Sequence, residues 1–367
     1  MKIKTITCHE VYNYGASLQE YALLKYLEEL GHKAQAIHYK PFYLSNHFNL
    51  LSVSPKYNSF PVKYIYLLVK LPGRLKALKR KKAFDKFSKK YIKTGEHLYK
   101  NNQELKNNLP IADAYICGSD QIWNSFFQNG KDSAFYLDFV PDDKLKISYA
   151  ASFAIDSIAD KLKPFVKEKV KRINHISVRE TSGITILNEL GIENVAQVLD
   201  PVFLLSATYW KSTFVKPIKD NYIFVYDFDS NHSIKKIAKK IAAENNLRIV
   251  TVNKNIKYAQ DNYWLKGPEF FLSLIANAQF VISNSFHAVA FSLIFEKQFL
   301  VVNRKEKINT RMRDLLALVN LSHLIVDETE LNGNSYGINT IKSYKEISSK
   351  LENLVSKSKL FLEKALN

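Results

Sequence analysis

Apolar residues recur in two alternating rhythms along this chain. Short apolar runs, read as strands, fall at 2–8, 34–39, 112–117, 146–152, 173–179 and 196–199. Helical spacing separates some of them. Over 15–30, Leu18, Ala22, Leu23, Tyr26, Leu27 and Leu30 share one face, and Gly31 supplies the stop. A second helix is expected over 183–190. The alternation pauses around 201–220. It resumes with strands at 222–226, 248–252, 278–282 and 299–302, and helices at 231–245, 269–276, 289–295, 310–319 and 340–364. Two successive runs of alternating strands and helices predict an α/β protein of two domains, each with a mostly parallel sheet. The expected division is 1–205, 206–340 and a C-terminal helix, 341–367, packing back on the first domain. Ligands of such sheets bind at the carboxyl ends of strands, often between domains.

Length and composition agree with this picture. A chain of 367 residues with 46% hydrophobic content can fill two ordinary cores. The two cysteines, Cys8 and Cys117, lie far apart and imply neither a disulfide framework nor a metal motif. They fit a reducing cytosol. No signal peptide and no membrane span are expected. The acids and histidines do not cluster in sequence, so no metal site is expected.

Charge adds one feature. The chain carries a net +18, and residues 63–93 hold twelve Lys or Arg against the single acid Asp85, a net of +11. Tyr64, Ile65, Leu67, Leu68, Leu71, Leu75 and Leu78 are interleaved. This basic amphipathic insert, about 45–95, has the composition of a segment that lies on anionic lipid. A solvated helix face is the plainer reading. No zinc finger, RNP-type motif or basic zipper accompanies the charge, so nucleic acid is not expected as a partner.

Five constellations could carry chemistry. Ser283-Asn284-Ser285-Phe286-His287-Ala288 sits at a strand-to-helix turn, where free N–H groups and the helix dipole favour an anion. The serines and Asn284 suit an N-cap, and His287 adds a group that moves protons near neutral pH. A capped helix with a packed histidine is the structural alternative. Asn13-Tyr14-Gly15-Ala16-Ser17 joins the first strand to the first helix, and Gly15 permits close backbone approach. Gly118-Ser119-Asp120-Gln121-Ile122-Trp123-Asn124 offers hydroxyl-binding groups and an aromatic face for a sugar. Ser177-Val178-Arg179-Glu180 presents an arginine that can fork onto phosphate or carboxylate. Arg304, Lys305, Lys307, Arg311 and Arg313 follow the strand at 299–302 and could complete an anion pocket. Asp200-Pro201 reads as the structural close of the first domain.

Taken in order, these blocks resemble the polysaccharide pyruvyl transferase family. The matching segments are 13–19, 118–124, 149–153, 177–180, 199–205, 283–287 and 291–295. The resemblance implies two Rossmann-like domains facing a central cleft (GT-B-like). It implies transfer of the enolpyruvyl group of phosphoenolpyruvate onto a sugar, giving a pyruvate ketal and phosphate. Phosphoenolpyruvate is then a co-substrate and no cofactor is needed. His287 and Arg179 match the family's catalytic histidine and arginine. Ser283, Ser285, Phe286, Lys305, Lys307 and Arg311 fall to the donor. Asn13, Tyr14, Gly15, Ser119, Asp120, Gln121 and Trp123 fall to the acceptor. One departure stands out: many members carry an arginine two residues before the histidine, where this chain has Ser285. The expected acceptor is a lipid-linked surface glycan, and the expected location is cytoplasmic, peripheral at the inner face of the membrane. A nucleotide-sugar glycosyltransferase, with Glu269 holding a ribose, and an inactive assembly partner are the competing readings.

Overall fold

The computed structural model describes residues 1–45, 50–51, 53, 57–304, 309–326 and 337–367. Two parallel six-stranded sheets form its frame. The first comprises β1 (Lys2–Ile6), β2 (Lys33–Ala36), β3 (Ala114–Cys117), β4 (Leu145–Ala151), β5 (His175–Val178) and β6 (Ala196–Gln197), in the order β2-β1-β3-β4-β5-β6. The second comprises β7 (Tyr222–Tyr226), β8 (Arg248–Thr251), β9 (Asp261–Asn262), β10 (Phe280–Ser283), β11 (Phe299–Val302) and β12 (Ile325–Val326), in the order β12-β11-β10-β7-β8-β9. Central strands such as β3, β7 and β10 are buried along their whole length, as strands covered by helices on both faces must be.

In each sheet the strand order reverses once. β1 separates β2 from β3, and β7 separates β8 from β10. Registers are level across these reversals: Ile6 pairs with Cys117, and Tyr226 with Ser283. Strand ends at such a reversal feed helices of opposite faces, so the loops beyond them part and leave a crevice. Both crevices are built by segments singled out above, after β1, β3 and β10.

The halves share a hydrophobic core. The first helix, Tyr14–Glu29, is N-capped by Asn13, whose Oδ1 accepts from the amides of Gly15 and Ala16. Its Tyr14 ring stacks on Phe271 of the helix Pro268–Asn277, at 4.7 Å and 5°. The stretch 201–220, which shows no rhythm in sequence, contains the helix Ala207–Phe214, capped by Ser206. Its Trp210 is buried and its indole N–H donates to Val202 O at 3.0 Å. The C-terminal helix, Lys345–Leu366, crosses back to the first half. There Ser358 Oγ accepts from the Leu199 amide, Glu363 accepts from the Tyr26 hydroxyl, and Phe361 meets Tyr149. Among the described residues, no helix is long and apolar enough to cross a membrane.

Candidate active site

A cavity of about 290 Å³ lies where the two crevices face each other. After β1 it is lined by Cys8, Val11 and Asn13; after β3 by Asp120 and Gln121; after β7 by Phe228; after β10 by Asn284, Ser285, Phe286 and His287; Arg304 and Arg311 close it. A larger hollow exists at the opposite ends of β1 and β2, lined by Lys2, Lys4, Lys33 and Glu28. It lies at the amino ends of the strands and gathers no catalytic set.

His287 occupies the first turn of the helix Phe286–Ile294, whose N-cap, Ser285, makes no side-chain cap bond. Amides at this end therefore remain available to a ligand. The imidazole is held from two sides. Its Nε2 faces Asp200 Oδ2 at 3.6 Å. Its Nδ1 lies against Gly15, where an added Cβ would come within 1.9 Å. Gly15 thus makes room for the histidine of the other domain. At 3.6 Å from the carboxylate oxygen, Nε2 is buried without a hydrogen-bond partner. Gly15→Ala is expected to fold but to lower turnover by roughly 10²-fold, since displacing a reacting group by about 1 Å has that effect. Steady-state rates alongside a circular dichroism melt check it, and a variant with normal turnover refutes the packing role.

Asp200 is the hub beneath the histidine. It is fully buried, accepts from the Val202 amide and from Ser119 Oγ at 3.1 Å each, and meets Arg179 Nη1 at 2.5 Å. Burial alone would raise this carboxyl. The charges of His287 and Arg179 outweigh it and hold the group well below the ordinary carboxylate range. Asp200 is therefore an ionised, buried anchor, in addition to closing the first half structurally as its place before Pro201 suggests. Apart from the Val202 amide, its partners Ser119, Arg179 and His287 lie far away in sequence, so no local signal marks its role as a hub.

Two buried guanidiniums converge on the same wall. Arg179 lies over the Phe286 ring at 4.4 Å and Arg311 at 5.7 Å. Arg179 leaves Nε and Nη2 without a hydrogen-bond partner, and Arg311 leaves Nε. The nearest carboxylate to Arg179 Nε, Glu180 Oε2, is 3.8 Å away. Glu180 is itself buried, its Oε1 taken by Ser152 Oγ and the Ala154 amide. Burial pushes its carboxyl up, with Arg179 opposing. Arg311 is pulled down to about 10, first by burial and then by the like charge of Arg179. Gln121, with its amide turned so that the oxygen faces the arginine, accepts from Arg311 Nη2 at 2.8 Å. Two desolvated cations held this close make the wall around Phe286 favourable to negative charge.

The structure brings together His287, Arg179, Arg311, Phe286, Ser285, Asn13, Asp120 and Gln121 as expected members of one site. Other expected members are elsewhere. Trp123 is fully buried, stacked on Tyr136 at 5.3 Å and 3°, with its N–H given to Phe135 O. It has no face for a sugar. Tyr14 is buried under Arg80, which donates to its hydroxyl at 2.6 Å. Ser283 Oγ donates to Tyr226 O and accepts from the Ser285 amide, so it fixes the turn rather than a ligand. Ser119 and Gly15 act through Asp200 and His287. Lys305 and Lys307 lie outside the described residues. Glu269 is not among the residues lining the cavity.

The expected scatter of acids and histidines is also corrected at one place. His9, which follows Cys8, presents a ligand atom within 4.8 Å of those of Glu10 and His38. Glu10 is already paired with Lys40, and His9 Nδ1 is bonded to Glu20 at 2.7 Å. Burial works against protonation of His9, and the Glu20 carboxylate overrides it.

A family model described as polysaccharide pyruvyl transferase matches residues 13–306, which include every segment lining the cavity except Cys8, Val11 and Arg311. No curated protein matches the chain. Solved structures of similar shape include UDP-GlcNAc 2-epimerase from Neisseria meningitidis bound to UDP-GlcNAc, at 10% identity, TM-score 0.51, covering 100% of this chain and 99% of that one. The S. aureus MnaA–UDP co-structure is 13% identical, with TM-score 0.49 and coverage of 98% and 89%. E. coli heptosyltransferase WaaC with ADP is 12% identical, with TM-score 0.40 and coverage of 95% and 100%. At these identities the likeness concerns the fold alone, which is GT-B-like.

Proposed function

Because the chain belongs to the polysaccharide pyruvyl transferase family, we propose that it moves the enolpyruvyl group of phosphoenolpyruvate onto a sugar diol of a lipid-linked surface glycan. The product is a pyruvate ketal, and phosphate is released. One observation carries this reading: Arg311, an uncapped helix N-terminus and a histidine on its first turn line one cavity, with a second buried guanidinium, Arg179, stacked on Phe286 of its wall. Phosphoenolpyruvate brings a phosphate and a carboxylate, which match two cations and a set of free amides.

The chemistry balances on these groups. His287 donates a proton to the methylene carbon, and cationic character develops at the neighbouring carbon. A first sugar hydroxyl adds there and returns its proton to the imidazole. Phosphate then leaves with the electrons of its C–O bond, assisted by the arginines. The second hydroxyl closes the ketal, and its proton departs with phosphate. One imidazole serves as acid and then as base. Asp200, 3.6 Å from its Nε2, keeps it oriented. Asn13, Asp120 and Gln121, which line the same cavity, orient the acceptor hydroxyls. No step consumes redox equivalents.

The test is the mass of a defined acceptor after incubation with phosphoenolpyruvate. The expected gain is pyruvate less water, with one phosphate released per ketal. A broad panel of acceptors with no mass gain, together with thermal stabilisation by a nucleotide diphosphate and none by phosphoenolpyruvate, overturns the reading in favour of a glycosyltransferase. Arg311→Met is expected to raise KM for phosphoenolpyruvate by about tenfold or more, the effect of losing a charge-assisted bond to the donor. Unchanged KM removes Arg311 from the donor site.

A further inference from the structure

The basic helix, Val62–Tyr91, has two unlike halves. Its C-terminal half is anchored. Phe84 and Phe87 enter the core, and Arg80 donates to the Tyr14 hydroxyl and Trp264 O at 2.6 Å each and to Tyr12 O at 3.2 Å. Its N-terminal half buries nothing: the buried residues of this helix are Arg80, Phe84, Phe87 and Ser88. An amphipathic helix on a soluble protein turns its apolar stripe inward. Here the side that finds partners is polar and aromatic. Tyr66 stacks on Tyr57 at 4.8 Å, and Arg74 lies over Tyr66 and donates to Leu50 O. The opposite side shows Ile65, Leu68, Val69 and Leu75 at 58%, 69%, 71% and 49% exposure. Their spacing places them in one stripe. Exposed Lys76 and Lys79 accompany it, and no acid occurs between Phe60 and Phe84.

A contiguous exposed apolar stripe marks an interaction surface. Charge selects the occupant. A second copy of this +18 chain would set lysines against lysines. Nucleic acid would leave the aliphatic stripe in water. Anionic lipid satisfies both features at once, since aliphatic side chains enter the headgroup–acyl boundary while lysines meet phosphates.

We propose that this face docks on an anionic bilayer surface. The exposed half, 62–79, spans about 27 Å at helical rise, enough for a stable footprint. The anchored half ties that footprint to chemistry. Arg80 holds Tyr14, and the next residue, Gly15, abuts His287. Docking therefore sets the cleft beside the membrane, where a lipid-linked acceptor presents its sugar; this last clause rests on the pyruvyl transfer reading above.

The test is sedimentation of the full chain with vesicles of phosphatidylglycerol and phosphatidylcholine, and with phosphatidylcholine alone. Binding is expected only to the anionic vesicles and should weaken as salt rises. The double variant Leu68→Glu, Val69→Glu should lower partitioning at least about tenfold, because it removes two buried aliphatic groups and adds like charge. Lys236→Glu with Lys239→Glu, exposed on the far helix His232–Glu244, makes a control that should change it much less. Equal loss in both variants, or absence of binding to anionic vesicles, overturns the proposal. So does self-association of the wild type that the double variant abolishes. Turnover on a water-soluble acceptor should be normal in the double variant, and circular dichroism confirms its fold. Vesicle binding with no pyruvyl transfer sinks the function reading and leaves this inference standing.

Discussion

His287→Ala is expected to reduce acceptor-dependent phosphate release by about 10²–10⁴-fold, the range over which a positioned acid/base contributes. The fold should survive, because Asp200 keeps Arg179, Ser119 and the Val202 amide as partners. His287→Gln separates proton transfer from packing. It fills much of the volume against Gly15, cannot carry the proton, and should be as inactive as the alanine variant. The measurements are steady-state turnover and a thermal melt for both proteins. A glutamine variant with more than a tenth of wild-type turnover would falsify the acid/base role. Phosphoenolpyruvate should still stabilise both variants against heat, since the guanidiniums remain. That retained binding separates a catalytic loss from collapse of the site.

Asp200→Asn is expected to weaken folding by about 3–5 kcal/mol, the usual result of leaving one member of a buried ion pair without its counter-charge. Arg179 would then face only Glu180, at 3.8 Å, and His287 would lose the group that orients it. Turnover should fall as well, as a positioning effect. The sign of the pH dependence follows from the depressed carboxyl. Its stabilisation is fully present above the unfolded carboxylate value, about 4, and is lost as pH falls toward the lower folded value. The asparagine variant lacks this dependence. The gap in stability between wild type and variant should therefore be widest near neutral pH and narrow below about pH 4. Denaturant unfolding at a series of pH values reads it directly. A gap that stays constant into acid contradicts an ionised Asp200.

The apolar rhythm made the two α/β halves legible, because strands buried on both faces and helices with one apolar stripe are local facts of a sequence. The turn at Ser283–His287 was legible for the same reason: a strand, a polar cluster and a helix follow one another within a few residues. Arg179 stood at a visible strand end. Trp123 misled, since an aromatic beside polar groups looks the same whether it meets a sugar or Tyr136. The insert around 63–93 was legible as basic and amphipathic, yet nothing local indicated that its apolar stripe would face outward while Arg80 and Phe84 turned in. Asp200 was hidden by its neighbour Pro201, which gave it an adequate local explanation.

By itself, then, the sequence determined the order and type of the main elements, the family resemblance and most of the polar groups at the strand ends. These follow from propensity, periodicity and capping, which act over a few residues. Tertiary structure alone decided which of those groups meet. The meeting of Gly15 with His287, of Asp200 with Arg179 and His287, and of both guanidiniums on Phe286 joins residues far apart in the chain. Those contacts depend on where two sheets reverse their strand order and on how closely their helices pack, and no local pattern encodes either.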